Sequence, residues 1–245
     1  PEAPGGGGEE PPAEKEPGEG EMAPTKQAGA NRFVWNLRGR DATKLPDNKG
    51  RGGSSEMLTA PRVPPGAYQV RLTVNGRAPT QHVELVKDPR AAATDDDLRT
   101  TYALAREAHE LLGRVHDAVL RLRDIRAQAE GWRDRVAAAP IKSAAAALAR
   151  ALTAVEEELI QVRSDNPRMF PAKLNTRIGT VIGLIDYADA PPTQALRDLT
   201  ADLARRAESE LGRLERLIAE DVARFNVQCR DAGVAAIVPK ATENG

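Results

Sequence analysis

The sequence predicts an α+β chain in which a small, incomplete β domain precedes an antiparallel bundle of about four helices. Residues 64–86 read PPGAYQVRLTVNGRAPTQHVELV, a hairpin written almost in full. Beyond Asp88-Pro89 the apolar period changes from two to three and four, and stays so for roughly 150 residues. Short connections containing proline divide that stretch into helices of a length that folds back on itself.

The hairpin rests on alternation. Tyr68, Val70, Leu72 and Val74 share one face of a strand, which predicts a buried face, and Asn75-Gly76 supplies the two residues of positive φ that a type I′ turn requires. Pro79 cannot donate to a ladder and pushes the second strand to an edge. Upstream, Asn31 to Arg38 (NRFVWNLR) alternates Phe33, Trp35 and Leu37 against Val34 and Asn36 and reads as a further strand with its rings inward. Gly39 to Ser55 reads as loop, and Glu56 to Ala60 as a short strand stopped by Pro61. The β domain so predicted spans 31–90. Before it, residues 1–30 are a Pro/Gly/Glu mixture with almost nothing to bury, and read as a disordered linker or loop.

The bundle is predicted over 94–239. Thr94 followed by Asp95, Asp96 and Asp97 is an N-cap with a negative first turn. From there a seam through Leu112, Val115, Val119, Leu122 and Ile125 describes one long helix ending near Val136. A second helix is predicted from Ile141 to Val162 and a third from Ala172 to Ala188. Pro191-Pro192-Thr193 opens a fourth, whose seam through Leu203, Ala207, Leu211, Leu214 and Phe225 runs to a C-cap at Gly233. Residues 240–245 read as a disordered tail.

Composition narrows the function classes. The chain has 245 residues, 40% of them hydrophobic, with 35 basic and 36 acidic side chains that nearly cancel. No segment has the basic density of a phosphate-binding surface, so nucleic acid is not an expected partner. Aromatic residues amount to 3%, too few for a platform of stacked rings. No apolar run reaches the roughly 20 residues that cross a bilayer, so no membrane partner is expected. A sequence that opens at Pro1 without methionine reads as a piece of a longer one, with any targeting signal upstream.

Reactive constellations are not evident. His109 and His116 are seven apart on one helix, hence about 10 Å apart at 1.5 Å per residue, too far to share an ion. His82 falls on the polar side of a strand. Glu156-Glu157-Glu158, Asp186 with Asp189, and Glu220-Asp221 are carboxylate pairs of the kind that usually line a solvated helix face, without the cleft a glycosidase needs. Gly5 to Gly8 lacks the Lys-Ser/Thr ending of a phosphate loop. Cys229 follows a helix seam with no histidine nearby and reads as a buried thiol. We assign no catalytic, cofactor-binding or metal-binding residue and no cofactor.

Two sets of blocks go further than pattern. NRFVWNLR, then VPPGAYQVRLTVNG, then VELVKDPR resemble the C-terminal region of bacterial BNR-repeat glycosyl hydrolase-like proteins, the sortilin or VPS10-type propellers. The hairpin block is also similar to the immunoglobulin-like domain of flagellar hook-cap proteins. FPAKLNTRIGTVIGLIDYADAPPTQA and EDVARFNVQCRDAGVAAIVP resemble the helical tail of the same propeller proteins. The resemblance implies that the β domain is a partial immunoglobulin-like one and that a β-propeller lies upstream in the same parent chain. It further implies a secreted or periplasmic location and a noncatalytic accessory role. No Asp-box of the propeller blades occurs here, so none of that family's catalytic residues has a counterpart. Two rivals come from other classes. One is an independent carbohydrate-binding or glycosidase module using Trp35 or Trp132 with nearby carboxylates; the other is an element that homo-oligomerises through its long helices.

Overall fold

The computed structural model describes residues 27–46, 55–163 and 170–239, and the side chains of Ser55 and Glu56 are outside that description. The linker expected over most of 1–30 and the tail over 240–245 lie outside the described residues. The chain divides into two compact units, Pro1–Asn36 and Leu37–Gly245. In the first, residues 27–36 are irregular, with Asn31 Nδ2 donating to the carbonyls of Gln27 and Gly29.

The second unit contains, in order, a single helical turn α1 (Ser55–Leu58), strands β1 (Gly66–Arg71) and β2 (Thr80–Leu85), and helices α2 (Asp95–Arg135), α3 (Ala139–Leu159) and α4 (Leu174–Asp186). The last helix begins as α5 (Gln194–Arg216), widens into a π-helical segment (Leu217–Val222) and ends as α6 (Ala223–Asp231). The mixed α+β class is as the sequence predicts. Two elements differ. The segment 31–38 forms no strand: Leu37 takes a left-handed φ of 62°, which breaks extended backbone, and only Arg38 makes a bridge, to Arg62. The strand expected at Glu56–Ala60 is instead the turn α1, held where the amide of Ala42 donates to the carbonyl of Leu58 at 2.8 Å.

Helix boundaries follow local chemistry. At the start of α2 the Thr94 hydroxyl accepts from the Asp97 amide, and the Asp97 carboxylate accepts from the Thr94 amide, a reciprocal capping box. Those hydrogen bonds from Thr94 hold the Asp97 carboxyl below its ordinary range. Pro140 occupies the first turn of α3, where its missing N–H costs nothing. Thr193 caps α5 through the amide of Leu196. Gly233, at φ 70°, ends α6, and the Val234 amide reaches back to the Cys229 carbonyl at 2.8 Å. The chain then folds back. Asn226 clasps both backbone groups of Ile237, which is buried, and Gln128 clasps those of Val238.

The four predicted helices do not form a four-cornered bundle. Arg123 and Arg126 of α2 meet Glu156 of α3, and Thr101 near the start of α2 meets the Ala190 carbonyl just past α4. Helices α3 and α4 therefore run down successive halves of α2, one after the other. Arg114 and Arg121 pair with Glu208 and Glu215, so α5 runs parallel to α2. Three stems result: α2, the α3–α4 pair, and α5 through α6. Length explains this, because 41 residues at 1.5 Å give α2 about 60 Å, a span that α3 and α4 cover only in series. Their shared core includes Leu112, Leu122, Ile125, Leu152, Ile178 and Leu214.

A strap completes the core. Residues 41–46 and 55–60 lie against α2 and bury Leu45, Leu58 and Ala60. Met57 sits on Gly179 of α4, so closely that a Cβ built there would be 3.0 Å from that of Met57.

Candidate functional site

Sequence-level candidates for chemistry resolve into structural contacts. Glu156 is 2% exposed and sits between Arg123 and Arg126, whereas Glu157 and Glu158 pair with Arg163 and Lys173 nearer the surface. Asp186 is taken up by Arg38 at 2.7 Å and accepts from the Arg62 amide at 3.2 Å; Asp189 pairs with the Arg62 guanidinium. Asp221 pairs with Arg224 one turn on, and Glu220 is exposed. Apart from Glu220, these carboxylates are engaged in ion pairs, and among the described residues they do not converge on a cleft. Gly5 to Gly8 lies outside the described residues.

Histidine positions are more specific than spacing suggests. His109 Nε2 lies 3.0 Å from the Leu58 carbonyl, and His116 Nδ1 lies 2.6 Å from the Thr43 carbonyl. Both fasten the strap to α2. His82 is exposed on β2, opposite Gln69. Cys229 is fully buried, and that burial pushes its thiol above the ordinary range. Among the described residues no three His, Cys, Asp or Glu side chains are placed to hold a metal ion.

The feature that remains is the hairpin. Asn75 and Gly76 have φ of 48° and 78°, the two positive values of the predicted turn, and Val74 and Arg77 exchange backbone bonds across it. Register pairs Tyr68 with Val83, Val70 with Gln81 and Gly66 with Leu85. Those pairs, with Leu72 and Val74, form one face. The other carries Ala67 with Glu84, Gln69 with His82, and Arg71 with Thr80. One face is thus apolar and the other polar, as a strand packed on a sheet or core requires.

The structure corrects the sequence reading at this face. Burial was expected of it, yet Val70, Leu72 and Val74 are 48%, 54% and 51% exposed. Only the base is covered. Tyr68 is half-buried, with its hydroxyl donating to the Pro64 carbonyl at 2.6 Å and its pKa raised first by burial and then by the nearby Tyr102. Among the described residues the sheet has two strands, so both are edges. Trp35, the other ring expected in a β core, is half-buried in the irregular segment, and Trp132 packs on the helical core. Alternation reported the hairpin's two faces correctly. It could not report what covers the apolar one, because that depends on a second surface. Comparison with models of known protein families, with curated proteins and with solved structures returns no match.

Proposed function

We propose that this chain is a noncatalytic accessory module of a larger extracytoplasmic propeller protein of the BNR glycosyl hydrolase-like kind, and that it positions or stabilises the propeller of the same parent chain. The observation that carries this reading is the hairpin, anchored at its base to a well-packed unit while its row of Val70, Leu72 and Val74 is exposed. A two-stranded ribbon is marginal by itself, and an apolar row on one side of it gains stability only by meeting another surface. In this reading the hairpin is part of an immunoglobulin-like domain whose remaining strands lie elsewhere in the parent, and the helical stems are its rigid base. The resemblance of the three β blocks and the two helical blocks supports that assignment.

The test uses the parent protein. Leu72→Lys there should lower the melting temperature or the soluble yield of the propeller, as should removal of residues 31–239. A propeller equally stable and soluble with and without those residues would refute the reading.

A further inference from the structure

We propose that the strap of residues 41–46 and 55–60 is a pH-sensitive latch on α2, closed while His116 is neutral and opened when that ring takes a second proton. Met57 packs on Gly179 of α4, the Arg38 guanidinium donates to the Ala60 carbonyl at 2.6 Å, and side chains of α2 hold the strap through polar contacts. The Thr43 hydroxyl donates to Asp117 Oδ1 at 2.7 Å, Arg123 Nη1 donates to the Pro46 carbonyl at 2.9 Å, and the two histidines reach the Thr43 and Leu58 carbonyls. The Ala42 amide donates to Leu58, and the Ala60 amide to Asp41 Oδ1, so the two halves of the strap also hold each other. Opening it would uncover Leu45 and Leu58.

The two histidines differ in what protonation does to them. A carbonyl accepts only, so Nδ1 of His116 must carry the hydrogen that faces Thr43, and in the neutral ring Nε2 is a bare acceptor. That Nε2 is buried and has no hydrogen-bond partner among the described residues, and His116 itself is 0% exposed. A proton added there creates a buried donor and a buried charge without a partner, which favours water entering and the strap leaving. His109 is only half-buried, and its Nε2 keeps its donated hydrogen in either charge state.

The surroundings of His116 agree in sign. Burial is the largest influence and pushes its pKa below the ordinary 6.5, opposed by the Thr43 carbonyl and by Asp117 on its own helix. Of the strap's charged side chains that the structure describes, Asp41 is engaged by the Ala60 amide and Lys44 is exposed. On α3, Glu156 is occupied by Arg123 and Arg126. No charged group of α4 or α5 is among the influences on the ring. A folded value below the unfolded one means that the closed strap has its full contribution above about pH 6.5 and loses it as pH falls from there through the folded value.

Amide hydrogen exchange on the intact chain, corrected for intrinsic rates, tests this. Between about pH 7.5 and about pH 5 the protection of residues 41–46 and 55–60 should fall about tenfold or more, as linkage to one proton allows, while α3 and α5 keep theirs. In His116→Gln, which cannot titrate, the strap's protection should be independent of pH. Equal pH dependence in the variant, or a strap whose protection does not change with pH in the parent chain, would overturn the latch. If the variant does not fold, the ring of His116 can be titrated by NMR in the unmodified chain. Strap amide signals should then move with the ring's own midpoint, below 6.5. A ring that titrates while those signals stay fixed would overturn the proposal.

Discussion

Glu156 and Glu157 are neighbours in sequence with opposite energetic roles. Glu156 answers two guanidiniums that are themselves three-quarters buried, whereas Glu157 meets Arg163 at 3.8 Å in water. Removing one partner of a buried ionic group leaves the others uncompensated, which typically costs about 3–5 kcal/mol, while an exposed pair contributes under about 1 kcal/mol. Urea unfolding should therefore show Glu156→Ala destabilised by about 3 kcal/mol and Glu157→Ala nearly unchanged. Equal midpoints would show that the Arg123–Glu156–Arg126 cluster is not closed in solution. This distinction was not legible in the sequence, where Glu156-Glu157-Glu158 reads as one solvated face. The three residues span about 200° of helix at 100° per residue, and only the arginines on α2 determine which side is inward.

At the level of elements, the helices were legible and their partners were not. The caps at Thr94 and Gly233 and the opening of the last helix at Pro191-Pro192-Thr193 act through the nearest few residues, so sequence alone located them. The second helix, expected from Ile141, instead begins at Ala139 with Pro140 inside its first turn. The strand expected at 31–38 failed because alternation cannot see the left-handed Leu37. The π-helical widening at Leu217–Val222 has no local signature that we can identify. Two glycines in α4 make the dependence on partners measurable. Gly183 has open space around its would-be Cβ, whereas Gly179 has Met57 at 3.0 Å. Thermal unfolding should find Gly183→Ala stabilised by about 0.5–1 kcal/mol, the helix propensity difference. Gly179→Ala should gain nothing or lose stability, because α1 must shift to admit the methyl group. A similar gain at both positions would mean that α1 does not pack on α4.

For the whole molecule, the same sequence signal that marks a buried face marks an exposed one in this chain. Periods of two and of 3.6 told which side of each element is apolar. For the helices that side is filled from within: Leu214 is 1% exposed, and Leu214→Asp should abolish cooperative unfolding, since an isolated charge there costs several kcal/mol. For the hairpin it is not filled, and on the proposed accessory reading the half-exposed row of Val70, Leu72 and Val74 is a docking face. The purified chain should accordingly show no turnover of chromogenic glycosides. Hydrolysis abolished by Asp186→Asn would place an active site at the Arg38–Asp186–Arg62 junction instead. The most direct test of the central claim is the melting temperature of the isolated chain carrying Val70→Lys, Leu72→Lys and Val74→Lys together. Because these side chains are half exposed, the account predicts a melting temperature unchanged from the parent chain. If the chain buried them, losing about 1.5–3 kcal/mol at each would lower it by roughly 10 °C or more, and that result would contradict an open docking face.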